Sequence, residues 1–109
     1  MAIGSGVSVH IDHSAIGYLP GAEDAARNRF FSGGLANNRE FLDGCVCFDS
    51  IVPEEVRALL FDPQTSGGLL VAIAPEVARQ ALAALQTREI PARIIGEVVA
   101  KQSPLIHIA

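Results

Sequence analysis

The sequence predicts a mixed β-sheet with helices packed on it, an α+β or α/β fold. Apolar and polar residues alternate from Val7 to Asp12, the period of a strand with one buried face. An apolar stripe at helical spacing joins Val77, Ala78, Ala81, Leu82 and Leu85, while Glu76, Arg79, Gln80 and Gln86 face away. Strand-like and helix-like segments succeed one another without a Gly-x-Gly-x-x-Gly turn or a short repeat, which argues against dinucleotide-binding and solenoid folds.

The elements follow in order. Val7, Val9 and Ile11 make the first strand, with Ser8, His10 and Asp12 on its other face. Pro20-Gly21 then starts a short helix over Ala22 to Arg27, acids early and arginine late, in the order the helix dipole favours. Phe30 to Asn38 is rich in Gly, Ser and Asn and reads as a loop. Cys45 to Phe48 is a brief strand, and Pro53-Glu54-Glu55 opens a helix that runs to about Leu60. Leu69 to Ala74 is a continuous apolar run, read as a central strand covered on both faces. Pro75-Glu76 begins the clearest helix. Ala92 to Ala100 and Leu105 to Ile108 supply two last strands around the turn Lys101-Gln102-Ser103-Pro104.

Size and charge narrow the function. A chain of 109 residues, half of them hydrophobic, is sized for one core, a single domain over 1–109 that folds alone or as a homodimer. No apolar run approaches a bilayer's thickness, and Met1-Ala2-Ile3-Gly4 is no signal segment, so the expected compartment is the cytoplasm, with no membrane partner. A net charge of -4 with scattered Lys and Arg argues against a nucleic-acid surface.

Asp62-Pro63-Gln64-Thr65-Ser66-Gly67-Gly68 interrupts apolar sequence with seven turn-forming or polar residues. Proline fixes φ at one end and two glycines free the backbone at the other, so the segment is suited to present amides and hydroxyls on one side. It is not a P-loop, because no lysine and no helix follow the glycines, and Asp62 adds negative charge. Any phosphate contact would rest on amides near Ser66 to Gly68 and on the Thr65 and Ser66 hydroxyls, with a bridging metal easier to defend than direct ion pairing. From residue types alone the favoured reading is a helix-to-strand connection held by side-chain bonds from Asp62, Thr65 and Ser66.

Six other residues invite a site and fall short of one. Cys45 and Cys47, two apart on a strand, share a face, could pair only through a strained disulfide and lack further Cys ligands for zinc, so both read as packed thiols. His10 and Asp12 share a face from which His13 points away, which argues against a metal site. His107 has no partner identifiable in the sequence.

The loop also carries a resemblance. Asp62 to Gly68 resembles the Asp-Pro-Gln-Thr-Ser-Gly-Gly signature near the C-terminus of the selenophosphate synthetase (selenide, water dikinase) family. Ser5-Gly6-Val7-Ser8-Val9, Leu19-Pro20-Gly21-Ala22, Asn38-Arg39-Glu40-Phe41-Leu42, Leu69 to Ile73 and Ile95-Gly96-Glu97-Val98 are similar to that family in the same order. The resemblance implies an α+β domain like the C-terminal domain of the aminoimidazole-ribonucleotide-synthetase superfamily, distantly ferredoxin-like. A second family pattern, Gly-Gly-Thr-x-x-Asn, falls on Gly33, Gly34 and Asn38, with Leu35 where the threonine is expected.

The implied activity is ATP-dependent formation of selenophosphate from selenide, releasing AMP and phosphate with magnesium. The implied cleft-lining residues are Asp62, Gln64, Thr65, Ser66, Gly67, Gly68, Gly33, Gly34 and Asn38. The family's reactive Cys or selenocysteine, its neighbouring Lys and its magnesium-binding aspartates lie in an N-terminal portion that has no match here. The chain is therefore expected to be a C-terminal domain fragment with no catalytic or metal-binding residue of its own, and its partner the N-terminal domain that holds ATP, Mg2+ and selenide. Two other readings stand beside it. One is a domain of an aminoimidazole ribonucleotide synthetase, thiamine monophosphate kinase or hydrogenase-maturation protein; the other is a non-enzymatic ligand-binding or partner module.

Overall fold

In the computed structural model, which describes residues 1–109, the alternation at the N-terminus becomes the strand around which the sheet is organised. A single helical turn, α1 (Ala2–Ser5), ends at Gly6 with φ 64° and leads into β1 (Val7–Ile11). The elements α2 (Ala22–Arg27), α3 (Leu35–Phe41), β2 (Val46–Phe48), α4 (Glu54–Leu60), α5 (Pro75–Gln86), β3 (Gly96–Ala100) and β4 (Ile106–Ile108) follow. The sheet order is β2-β4-β1-β3. β4 runs parallel to both β1 and β2, and β3 runs antiparallel to β1, so the sheet is mixed as expected and the fold is α+β.

Register explains which face is buried. Val9 stands opposite Ile106 and Ile11 opposite Ile108, while Val46 and Phe48 flank the same two isoleucines from the other side. In-register partners share a face. That face packs on α4 and the turn before it: Val52, Val56 and Ile108 are buried, with Ile11, Tyr18, Val46, Phe48, Leu60 and Ile106 around them. Burying each such side chain contributes roughly 1.5–3 kcal/mol. Leu35, Ala58 and Phe61 form a second cluster that joins α3 to α4.

The opposite face carries the polar half of the alternation. Ser8, the one buried polar residue, takes the Gln102 amide at 2.7 Å and donates back to the Gln102 oxygen at 3.3 Å, which ties the β3–β4 connection to β1. Cys47, His107 and His10 stand side by side across β2, β4 and β1. His107 Nε2 lies 2.7 Å from Asp49 Oδ1 and its ring meets His10 edge-on, partners that sequence spacing does not reveal. Both cysteines are free thiols, and Cys45 sits in the turn before β2 rather than within it.

Three expectations are corrected. Within Phe30 to Asn38, only the first part is loop; α3 begins at Leu35, because Leu35 docks into the Ala58–Phe61 cluster and packing overrides the Asn-rich composition. Leu69 to Ala74 forms no strand: the run pairs with no strand of the sheet, and Leu69 is 96% exposed. An apolar run specifies burial only where a partner edge reaches it, and no strand of this chain does. Finally, Ala92 to Ala100 is paired only from Gly96 onward. α5 forms as expected, though none of its residues is fully buried.

Candidate functional site

Helix α4 delivers the chain to the signature loop. Its last turn closes with the Phe61 amide donating to the Ala58 oxygen at 3.0 Å and the Asp62 amide to Leu59 at 3.1 Å. Phe61 then turns inward, edge-on to Phe48 with ring centroids 5.7 Å apart, and the Arg39 guanidinium sits 5.8 Å from its ring centre. The root of the loop is therefore anchored in the core before its polar residues begin.

Asp62 is the brace. Its Oδ1 accepts from Ser32 Oγ at 2.6 Å and its Oδ2 from Gln64 Nε2 at 2.7 Å. Both carboxylate oxygens are thus spent on fixing the loop to the Ser32–Gly34 turn and to itself. Asn38 Nδ2 donates to the Phe61 oxygen at 2.9 Å, and a Cβ built on Gly34 would stand 2.9 Å from Pro63 Cγ. Contacts through Ser32, Gly34 and Asn38 bring the second glycine motif against the signature loop, although 30 residues separate Ser32 from Asp62.

Beyond Pro63 the character changes. Gln64, Thr65, Ser66, Gly67 and Gly68 are all exposed, and the amides from Gln64 to Gly68 donate to no backbone oxygen of the chain. A braced root thus carries an open tip with several free donors on it, suited to meet an acceptor-rich group or a neighbouring lobe. No group of three or more His, Cys, Asp or Glu side chains is placed to hold a metal ion.

Two details differ from the expectation. The loop glycines do not use left-handed backbone angles; positive φ among glycines occurs at Gly6, Gly21 and Gly44, and Gly67 and Gly68 lie elsewhere. Nothing within 4 Å would meet a Cβ at Gly68 or Gly33, and one at Gly67 would make an ordinary 3.5 Å contact with Gln64. Among these four glycines the close approach occurs at Gly34 alone. Leu35, in turn, is a core residue packed against Ala58 and Phe61, so an aliphatic group serves the fold where the pattern has a hydroxyl. The roles of Phe61 and Arg39 in holding the loop carry no sequence signal, because the contacts that define them are tertiary.

Away from the loop, Asp12 and Tyr18 shift their acidity. Asp12 is held below its ordinary value because the Ser14 hydroxyl and amide both donate to its carboxylate, at 2.7 and 2.9 Å. Tyr18 is pushed above its ordinary 10.0, first by burial and second by the charge of Glu23; its buried hydroxyl has no hydrogen-bond partner.

Comparison with known proteins supplies the context. The family model for AIR synthase related protein, C-terminal domain, matches residues 1–108. A selenide, water dikinase of Pelobacter propionicus is 43% identical over 109 residues, covering 99% of this chain and 31% of that protein. A selenide, water dikinase of Caldanaerobacter subterraneus subsp. tengcongensis is 37% identical with the same coverage. One from Escherichia coli K12 is 38% identical over 99 residues, 91% of this chain and 28% of that protein. The chain spans less than a third of the length of these relatives. No helix is long and apolar enough to cross a membrane.

Proposed function

The chain belongs to the AIR synthase related protein family as its C-terminal domain, and from that premise we propose that it forms the C-terminal domain of a selenide, water dikinase, an ATP-dependent selenophosphate synthetase. The observation that carries this reading is the division of the loop into a braced root and an open tip. Asp62, Ser32, Gly34 and Asn38 hold the root, while Gln64, Thr65, Ser66, Gly67 and Gly68 keep their amides free. In this reading the tip lines a cleft shared with the preceding N-terminal domain of the same polypeptide, where ATP and selenide meet.

Phosphoryl transfer is mostly positioning and charge stabilisation. Preorganised amides and hydroxyls on a fixed loop act in that way, because their dipoles need no rearrangement as charge develops. Magnesium supplies the larger electrostatic share when bound. The residues here do not fit a magnesium cage: both Asp62 oxygens are engaged by Ser32 and Gln64, and no cluster of carboxylates accompanies it. Its ligands belong to the N-terminal domain, and this chain contributes loop dipoles.

The test is a chimaera in which this chain replaces the matching segment of the 38%-identical Escherichia coli protein. Replacing Gln64, Thr65 and Ser66 by alanine is expected to lower selenide-dependent phosphate release by roughly a hundredfold. Undiminished turnover of the triple variant would overturn the reading. The 109-residue chain by itself is expected to consume no ATP.

A further inference from the structure

Residue Arg29 occupies a backbone conformation that favours glycine, with φ 59° just past the end of α2. Its amide donates to the Ala26 oxygen and the next amide, Phe30, to the Ala25 oxygen, both at 2.9 Å, the paired bonds of a left-handed helix end. A residue with a Cβ is disfavoured there. Glu89 repeats the same geometry after α5, with φ 59° and the Glu89 and Ile90 amides bonded to Gln86 and Leu85. Strain alone thus distinguishes nothing; surroundings do.

Arg29 lines a cleft of about 430 Å³ between α2 and α3, above the first turn of α4. Buried Ala26, Leu35 and Ala58 contribute an apolar floor, and Arg27 and Arg39 stand on the same rim as Arg29. Two of these arginines are fixed by acids of α4. Arg27 Nε reaches Glu55 at 3.3 Å and its Nη1 reaches Asp24 at 2.8 Å; Arg39 Nη2 reaches Glu54 at 2.8 Å. Each keeps unused N–H donors, Nη2 on Arg27 and Nε and Nη1 on Arg39. Arg29 joins none of the ion pairs, so its whole fork is free.

We propose that this cleft binds a phosphate group, free or carried on a small organic body, gripped by the Arg29 fork with the spare donors of Arg27 and Arg39 beside it. A guanidinium fork matches two phosphate oxygens at once, which an ammonium does not. The carboxylates of Glu54 and Glu55 oppose an anion by their charge, yet they hold two guanidiniums in place, so a phosphate gains oriented donors without breaking either ion pair. Their presence predicts modest affinity. The inference stands on this cleft and not on the enzymatic assignment above.

The 109-residue chain is titrated with inorganic phosphate, and separately with AMP, while arginine Nε–H and backbone N–H resonances are followed by NMR. Saturable shifts are expected at Arg29, Arg39 and Phe31, with Arg79 and Arg88 unmoved. Tighter binding of AMP assigns the phosphate to an organic carrier, and equal or weaker binding assigns it to the free ion. Arg29→Gly and Glu89→Gly both relieve a left-handed residue, so both are expected to raise the melting temperature. Only Arg29→Gly is expected to weaken phosphate binding, by about tenfold, with Arg29→Lys intermediate. Equal shifts at all arginines, no saturation, or undiminished binding by Arg29→Gly would overturn the proposal.

Discussion

Pro63 lies against Gly34 so closely that a Cβ on the glycine would meet the proline ring at 2.9 Å. A proline ring is tied to its own backbone and cannot swing aside as a flexible side chain does. Gly34→Ala is therefore expected to push α3 and the signature loop apart and destabilise the fold by about 1–3 kcal/mol. Chemical denaturation of the variant checks this; an unchanged midpoint would show that the ring yields freely.

Asn38 offers a second handle on the same joint. Replacing it by alanine leaves the Phe61 oxygen without its side-chain donor, an expected loss of about 1 kcal/mol. Asn38→Asp is expected to lose more, since a carboxylate oxygen would face a carbonyl oxygen. Urea titrations should show lower midpoints at constant slope.

Gly96 carries the antiparallel pairing of β3 with β1, opposite Ile11. A Cβ there would run into the His10 carbonyl oxygen, a backbone atom that can move only with the strand. Gly96→Ala is expected to cost about 3 kcal/mol or more and to unpair β3. Loss of amide protection along β1 and β3, with β2 retained, is the signature; retained protection would count against it.

Stability has two pH limbs. Asp12 has a depressed folded value, so its contribution is fully present above its ordinary 3.8 and is lost as pH falls through the lowered value. Tyr18 has a raised folded value, so its contribution is present below 10.0 and is lost as pH rises through the raised value. Asp12→Asn is expected to flatten the acid limb and Tyr18→Phe the alkaline limb. Because the Tyr18 hydroxyl is buried without a partner, Tyr18→Phe is also expected to stabilise by about 1 kcal/mol at neutral pH. A destabilised Tyr18→Phe would show that the hydroxyl has a partner in solution.

Much of the scaffold is legible from residue order. Val7 to Ile11, Ala22 to Arg27 and the helix opened by Pro75 formed where periodicity and end residues placed them, because each signal is local. The signature loop is legible as an interruption of apolar sequence between α4 and Leu69. Two misreadings share a cause. Asn-rich 35–38 became helix because Leu35 found a core, and the apolar run 69–74 stayed unpaired because no strand edge met it.

Local chemistry by itself determined α2, α4, α5, the first strand, the mixed character of the sheet and the position of the polar loop after α4. Only the tertiary structure decided that Ser32, Gly34 and Asn38 brace that loop, that Leu35 is core, and that three arginines share one cleft. Periodicity and turn chemistry act over a few residues and are written in the order of the chain. Contacts across tens of residues depend on where packing brings distant segments, which no short window of sequence encodes.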